Sequence, residues 1–327
     1  MTQPAPLPTQ RGSALLLAML TVTLVATLAA ASLWQQWQAV AVEQAQRQRT
    51  QAALILQGAL DWARLILRED ARANQREGNP DHLGEPWATP LAEARLSTFL
   101  AADGNSDGLP DAFLSGEVRD MQACLNIHNL VVQEGNAPGE AELSVLELGS
   151  LRRLYQTLGL PVAEIEAAAD RLLRIANHAR TADAPAQTLR PKRLGQLRWI
   201  GISEASLQRL EPYLCVLPAD TTVNLNTASE TVLVASLPGL DLTGARSLIQ
   251  ARERQPFRDL SDAQAVLPGI DRVMVADRFG VQSQFFEIRG QLRLDQSVVA
   301  ERSLVQRQGL EIRVLWRERY SAQAPSS

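Results

Sequence analysis

The stretch whose side chains are best spaced for chemistry is Asp103-Gly-Asn105-Ser-Asp107-Gly108-Leu-Pro-Asp111. Oxygen side chains fall at every second residue and a turn glycine follows, the alternation of the first half of a calcium loop. Hard cations take several oxygens at roughly 2.3–2.6 Å, and a curling loop can bring alternate side chains to one point. Asp103, Asn105, Asp107 and Asp111 are therefore candidate calcium ligands. No glutamate falls where an EF-hand closes, so carbonyls, water or distant carboxylates would have to finish the shell. The same residue types also favour a plain polar turn without metal.

Other reactive residues form no constellation. His82, His128 and His178 share no ligand-like spacing, which leaves a zinc site or a histidine-based catalytic centre unsupported. The two cysteines, Cys124 and Cys215, can close a disulfide in an oxidising compartment; in a reducing one they stand as two buried thiols. The carboxylate pairs Glu69/Asp70 and Glu164/Glu166 read as solvated helix faces. No phosphate loop, Gly-x-Ser-x-Gly elbow or zinc-peptidase signature occurs, so the reading is of a protein that is not an enzyme.

Residues 224–270, NLNTASETVLVASLPGLDLTGARSLIQARERQPFRDLSDAQAVLPGI, resemble a pair of helix-hairpin-helix units. Such hairpins bring backbone N–H groups up to phosphate through a Gly-apolar-Gly turn. Here Asp241 and Asp271 stand in place of the second glycine, where a carboxylate repels phosphate. The whole chain gives no compensating attraction: 32 basic and 36 acidic residues leave a net charge of -4. Helical packing or subunit contact is the reading preferred over nucleic-acid binding. The alternative is a membrane-tethered DNA-binding protein of a competence-type system, which tight, salt-sensitive gel shifts would reveal.

These segments need a framework, and 327 residues with 46% hydrophobic content suffice for one large or two modest domains. Ser13 to Trp34, SALLLAMLTVTLVATLAAASLW, carries no charge, and as a helix it spans ~33 Å, enough for a bilayer. A secretory signal ending at Ala29–Ser32 competes with this reading. Against it, the leader has one basic residue, Arg11, directly before Gly12, and the helical pattern continues well past Ser32. Beyond Trp34 there is no proline and a single glycine, Gly58, before Asp70, so the spacing predicts one continuing helix. Ile55, Ala59, Trp62 and Ile66 fall on one face, the face predicted to pack on a folded domain.

Asn79 to Gly116 reads as loops around one short helix, PLAEARLSTFLAA, and Glu140 to about Gly280 as helical segments with Gly, Pro and Asp stops. At the C-terminus the period changes to two. Phe286, Ile288, Leu292 and Leu294 alternate with polar residues, as do Leu310, Ile312, Val314 and Trp316. With VVAERSLVQR between them, these segments predict an antiparallel meander covering the long helix.

Arg11-Gly12 followed by an apolar run and an amphipathic continuation resembles the prepilin class. The resemblance makes Gly12 the residue after which prepilin peptidase cuts, on the cytoplasmic side, and Ser13 the new N-terminus. Most prepilins carry glutamate at the fifth mature position, where it neutralises a neighbour's amine; here that position is Leu17. A buried carboxylate is costly without such a partner, so its absence points to a subunit with no neighbour ahead of it. Gly84-Glu85-Pro86-Trp87-Ala88, Leu114-Ser115-Gly116-Glu117-Val118-Arg119-Asp120, Cys124-Leu125-Asn126 and Val223-Asn224-Leu225-Asn226-Thr227 resemble the type II secretion minor pseudopilin K family. In that family two cysteines flank the inserted domain much as Cys124 and Cys215 do. Members bind calcium, but the acidic cluster usual in their helical domain is replaced here by NHARTADAPAQ, so no ligand carries over.

The resemblance implies a single-pass inner-membrane protein with a periplasmic C-terminal domain. Its implied partners at a pseudopilus tip are minor pseudopilins I and J, with major pseudopilin G and secreted exoproteins as further candidates, and no nucleic acid. The resulting fold is α+β: a pilin-like long N-terminal helix packed on an antiparallel sheet, with a large inserted all-helical domain of SAM-like or helix-hairpin-helix-like type. Its expected divisions are a leader (1–12), a transmembrane helix (13–34), the N-terminal part of the pseudopilin domain (35–135), the inserted helical domain (136–278), the C-terminal strands (279–320) and a disordered tail (321–327).

Overall fold

The computed structural model describes residues 13–96, 112–132, 141–178, 190–294 and 297–321. It divides into two compact units, Met1–Gln57 and Gly58–Ser327. The described part of the first unit is the beginning of helix α1, which runs Ser13–Glu77. Leu16, Leu20, Leu24 and Leu28 stand 59–69% exposed, so apolar side chains face outward around this part of the helix. A helix apolar all round is suited to lipid and not to water. Thr21, Thr23 and Thr27 donate their hydroxyls to the carbonyls of Ala18, Leu20 and Leu24 at 2.9 Å. These three threonine hydroxyls are thereby paired, which lowers the cost of placing them in an apolar medium.

In the second unit α1 continues to Glu77 and stops where Gly78, at φ +67°, donates its N–H to the Asn74 carbonyl. The buried row of this part is Leu60, Ala63, Leu67 and Ala71. That corrects the face expected from the sequence: Trp62 is 64% exposed, and Ala59 and Ile66 are only half-buried. Two apolar rows run side by side along this helix, and the one with small residues at Ala63 and Ala71 lets the helix lie close on the sheet.

After α1 and a short turn at Pro86–Ala88 come β1 (Leu91–Arg95) and β2 (Ala112–Asp120). An insert follows, with β3 (Leu125–Asn126), β4 (Val131–Val132), β5 (Glu142–Leu143), α2 (Val145–Thr157), α3 (Val162–His178) and α4 (Glu204–Leu210). It continues through β6 (Leu214–Cys215), β7 (Val223–Asn224), α5 (Glu230–Ser236), α6 (Leu242–Arg254), α7 (Leu260–Val266) and β8 (Phe279–Gly280). The chain then returns as β9 (Phe285–Leu294), β10 (Ser297–Gln308) and β11 (Glu311–Ser321). The main sheet is antiparallel in the order β1-β2-β9-β10-β11, so the insert lies between two strands that are spatial neighbours.

The C-terminal meander forms as its alternation predicts, and Phe286, Ile288, Leu292 and Leu294 are all buried. Two strands of the main sheet were not predicted, nor were the two-residue strands β3 to β8. Leu91–Arg95, expected within a short helix, is instead the edge strand β1, and β2 occupies residues expected to belong mostly to loops. Pairing decides both: β1 lies along β2, Arg293 of β9 reaches Glu93 at 2.7 Å, and Phe113 is covered by the Arg95 and Arg293 guanidinium groups. Such tertiary contacts override the helix propensity of Leu, Ala and Glu. Gly116 faces Gly290 across the ladder, and a Cβ at Gly116 would lie 2.9 Å from the Arg289 carbonyl, so the pairing needs glycine there.

The sheet and the second half of α1 share a core of Leu60, Ala63, Leu67, Trp87, Phe286, Ile288, Val305 and Ile312, with Trp87 edge-on to Phe286 at 5.2 Å between ring centroids. The insert has its own core, built around Leu154, Tyr155, Ile165, Leu210, Leu233 and Leu248. Ser144, Ser203, Ser229, Asp241 and Asp259 cap the starts of α2, α4, α5, α6 and α7 by accepting backbone N–H bonds. Leu67 is fully buried against the sheet. Replacing it with alanine should lower the unfolding free energy of the full chain in detergent micelles by about 2–5 kcal/mol, read from chemical denaturation.

Candidate functional site at the base of the insert

Where the chain leaves the sheet after β2 and re-enters it at β9, the crossing strands carry polar groups that no regular ladder satisfies, and buried side chains meet them. Asn224, fully buried, donates to the Asp81 carbonyl (3.2 Å), Asp120 Oδ2 (3.0 Å) and Ser283 Oγ (2.9 Å). One amide thus ties the turn after α1, the exit from β2 and the approach to β9. Thr227 and Ser283 hydroxyls donate to the same Asp120 oxygen at 2.6 and 2.7 Å. Gln122 accepts from the Gln284 N–H at 2.7 Å and donates to the Thr222 carbonyl at 3.0 Å. Two residues on, Asn226 exchanges two bonds with the backbone of Phe257, both 2.9 Å. Asn126 plays the same part at the other crossing, accepting from Leu217 N–H at 3.0 Å and donating to the Ala219 carbonyl at 2.8 Å.

Beside this knot lies a cluster of charge. Carboxylate oxygens of Asp70, Asp81 and Glu85 lie within 4.8 Å of one another. Arg307 of β10 enters among them, with Nη1 2.9 Å from Asp70 Oδ2 and Nη2 2.5 Å from both Asp81 oxygens and 2.6 Å from the Ser283 carbonyl. Glu85 accepts from the buried Trp87 Nε1–H at 2.8 Å and from the His82 backbone N–H at 2.9 Å. Asn74 donates to Glu85 at 3.1 Å, with weaker contacts to Asp70 and Asp81. Burial pushes the Asp70 carboxyl up to about 7, with the Glu85 charge adding and Arg307 opposing. Burial likewise raises Asp81 despite Arg307, and pushes Asp120 up to about 6 against the bonds from Thr227 and Ser283.

A cleft of about 1020 Å³ opens over the cluster, lined among others by Asn74, Gln122, Asp220, Arg258, Gln284 and Arg307. Ser283, whose hydroxyl donates to Asp120, belongs to its lining but is itself buried. What the arrangement can do is hold a proton and clamp three chain segments together.

The residues singled out in the sequence are distributed elsewhere. Ser13 opens α1, and Gly12 lies outside the described residues, as do Asp103, Asn105, Asp107 and Asp111. Cys124 and Cys215 are joined as a disulfide with Cα atoms 6.0 Å apart, brought together by parallel pairing of β3 with β6 and packed with Leu217, Phe285 and Leu304. His128 pairs with Asp220, distant in sequence, at 3.0 Å, and the His82 ring accepts from the Gly84 N–H of its own turn. In the hairpin-like segment Gly239 and Gly269 take positive φ, and Asp241 accepts from the Gly244 N–H at 2.7 Å. The carboxylate thereby occupies the helix N-terminus that a phosphate would need.

Two carboxylate pairs need correction. Asp70, expected on a solvated helix face with Glu69, is buried against Arg307, because Asp70 continues the buried row of α1 while Glu69 points outward. Glu164 and Glu166 are half-buried; Glu164 accepts the Ser203 N–H at 2.7 Å and Glu166 pairs with Arg152 at 2.8 Å. Sequence reasoning also missed Asn224 and Arg307. The signal for the first was the pair of asparagines in Val223-Asn224-Leu225-Asn226-Thr227, polar residues alternating with apolar ones where no strand follows.

A long helix laid on an antiparallel sheet, apolar over its first turns and with a helical module inserted between adjacent strands, defines a pilin-like protein of the pseudopilin type. Two family models described as type II secretion system protein K match residues 123–219 and 223–282, together taking in the insert, and over this region the chain is similar to that family. It is 27% identical over 329 residues to type II secretion system protein K of Pseudomonas aeruginosa, covering 94% of this chain and 92% of that one. It is 28% identical to protein K of Klebsiella pneumoniae over 335 residues, covering 94% and 96%. In fold it is similar to a chain of the crystal structure of the GspK-GspI-GspJ complex from the type 2 secretion system of enterotoxigenic Escherichia coli. That match has a TM-score of 0.63 and 19% identity, over 86% of this chain and 99% of the other.

Asn224 is the hub of the crossing. Asn224→Ala would leave Asp120 and the Asp81 carbonyl short of a donor in a buried place, at about 1–3 kcal/mol for each unmet group. The full chain in detergent should therefore unfold at clearly lower denaturant concentration than the wild type, with the far-ultraviolet circular dichroism of the native state retained.

Proposed function

We propose that this chain is a minor pseudopilin of the type II secretion system that starts or caps the pseudopilus at its tip. It is cut after Gly12 by the prepilin peptidase, held in the inner membrane by residues 13–34, and exposes the rest of the chain to the periplasm, where the Cys124–Cys215 disulfide is closed. The observation that carries the reading is the uncharged start of α1, with Leu17 at the fifth mature position. An assembling subunit buries that position against the subunit ahead, and a carboxylate there is stabilised by the neighbour's amine. A subunit without it has nothing to offer a neighbour above, which suits the end of a filament. The insert between β2 and β9 adds bulk that a repeating subunit has no use for. The relatives named protein K and the fold match to a complex with I and J support minor pseudopilins I and J as the partners. On this reading it works by packing and recognition and turns over no substrate, while the assembled tip supports export of folded proteins across the outer membrane.

Two measurements test this. N-terminal sequencing of the membrane-embedded protein should begin at Ser13, and a start near Leu33 would mark a cleaved secretory signal instead. Affinity purification from membranes expressing minor pseudopilins I and J of the same organism should recover all three together. Recovery of the chain alone, under conditions where I and J still bind each other, would overturn the assignment.

A further inference from the structure

The buried charge at the base of the insert has no part in membrane anchoring. Asp70, Asp81 and Glu85 crowd within 4.8 Å of one another, and Arg307 is the single cation among them. Asp120 lies one step further in, held by Asn224, Thr227 and Ser283. Among the described residues no other charged group meets the cluster from the elements packed on it: His82 gives Glu85 only its backbone N–H, and Asn74 and Asn224 are neutral. Arg258, Asp259 and Asp220 line the outer part of the cleft above. One guanidinium cannot balance this many buried carboxylates, and the low effective dielectric makes their mutual repulsion strong.

We propose that the junction is a proton-held clamp, in which a proton on the Asp70–Glu85 pair lets α1, the turn carrying Asp81 and β10 close around Arg307, and whose loss loosens that join. Geometry gives the proton a place. Asp70 turns Oδ2 to Arg307 and Asn74, so the acid's hydroxyl is free to serve Glu85. The folded chain therefore keeps a proton that the unfolded chain, with an ordinary aspartate, gives up near pH 4. An acid whose folded-state pKa lies above its unfolded value costs stability once the unfolded state has ionised. Stability is undiminished by Asp70 below about pH 4, falls as pH rises through its folded value of about 7, and stays low above it. Asp120 adds the same trend, complete near its value of about 6. The clamp is thus tightest in mildly acid surroundings and slackens on the alkaline side of neutrality, at the point where the insert joins the sheet.

Asn is the isostere of the protonated acid: its carbonyl accepts from Arg307 and its N–H donates to Glu85. Thermal unfolding of the full chain in detergent micelles, wild type and Asp70→Asn, from about pH 5 to about pH 8 tests the clamp. Wild-type Tm should fall by several degrees more than that of Asp70→Asn, and the variant should match or exceed the wild type at the alkaline end. Parallel pH curves, or an Asp70→Asn variant that is the weaker at the alkaline end, would show Asp70 ionised against Arg307 and overturn the proposal. Should the variant fail to fold, infrared difference spectra of the wild type with carbon-13-labelled aspartate decide. A protonated carboxyl band at about pH 6.5 that fades by about pH 9 supports the clamp, and its absence at the lower pH refutes it.

Discussion

A chain that inserts a whole helical module between two neighbouring strands of a sheet must cross itself, and at the crossing its backbone joins only two-residue ladders, β3–β6 and β7–β8. Buried N–H and C=O groups left in that position would cost more than a small domain can spare. The solution is three asparagines, Asn126, Asn224 and Asn226, whose amides stand in for missing backbone partners. Asp120, Ser283 and Arg307 complete the joint, so the route out of β2 and the route into β9 are fastened to the turn after α1. The disulfide and the short β3–β6 ladder fasten the same region a second time. Each core, that of the insert and that of the α1–sheet layer, is hydrophobic and ordinary; the join between them is polar and specific.

On the proposed reading, function lies in surfaces and in the anchor. The beginning of α1 has no charge to pair, and its three threonine hydroxyls bond carbonyls of their own helix, which suits it to lipid. The later part of the same helix presents Leu60, Ala63, Leu67 and Ala71 to the sheet and leaves Trp62 outside. The hairpin-like segment resembles a nucleic-acid module in sequence, yet Asp241 caps the start of α6 and Arg252 donates to the carbonyls of Leu225 and Ala228. Such likeness does not carry function with it.

The sequence was most legible where one physical term dominates. The uncharged run of α1 and the strand period of β9 and β11 stand out because hydrophobic patterning sets them, although Glu287 is buried as well as its apolar neighbours and Leu310 falls in the turn before β11, 38% exposed. It was least legible where partners distant in sequence decide. Leu91–Arg95 has good helix formers and becomes a strand through Arg293, and Asp70 sits beside exposed Glu69 yet is buried by an arginine from β10. The choice between two adjacent apolar rows on α1 likewise depends on how closely the sheet approaches, which helical period alone does not specify. The asparagines of Val223-Asn224-Leu225-Asn226-Thr227 were visible as a pattern, but their task is defined by strands that lie far away in the chain.

A carboxylate-free anchor and a firmly joined helical insert support the proposal that this chain sits at one end of a pseudopilus. Assembled pseudopili, sheared from cells and labelled with gold-coupled antibody fragments against the insert, test it most directly by electron microscopy. The account predicts gold at a single end of each filament. Gold spaced along the shafts would contradict it, because the chain would then be an ordinary repeating subunit.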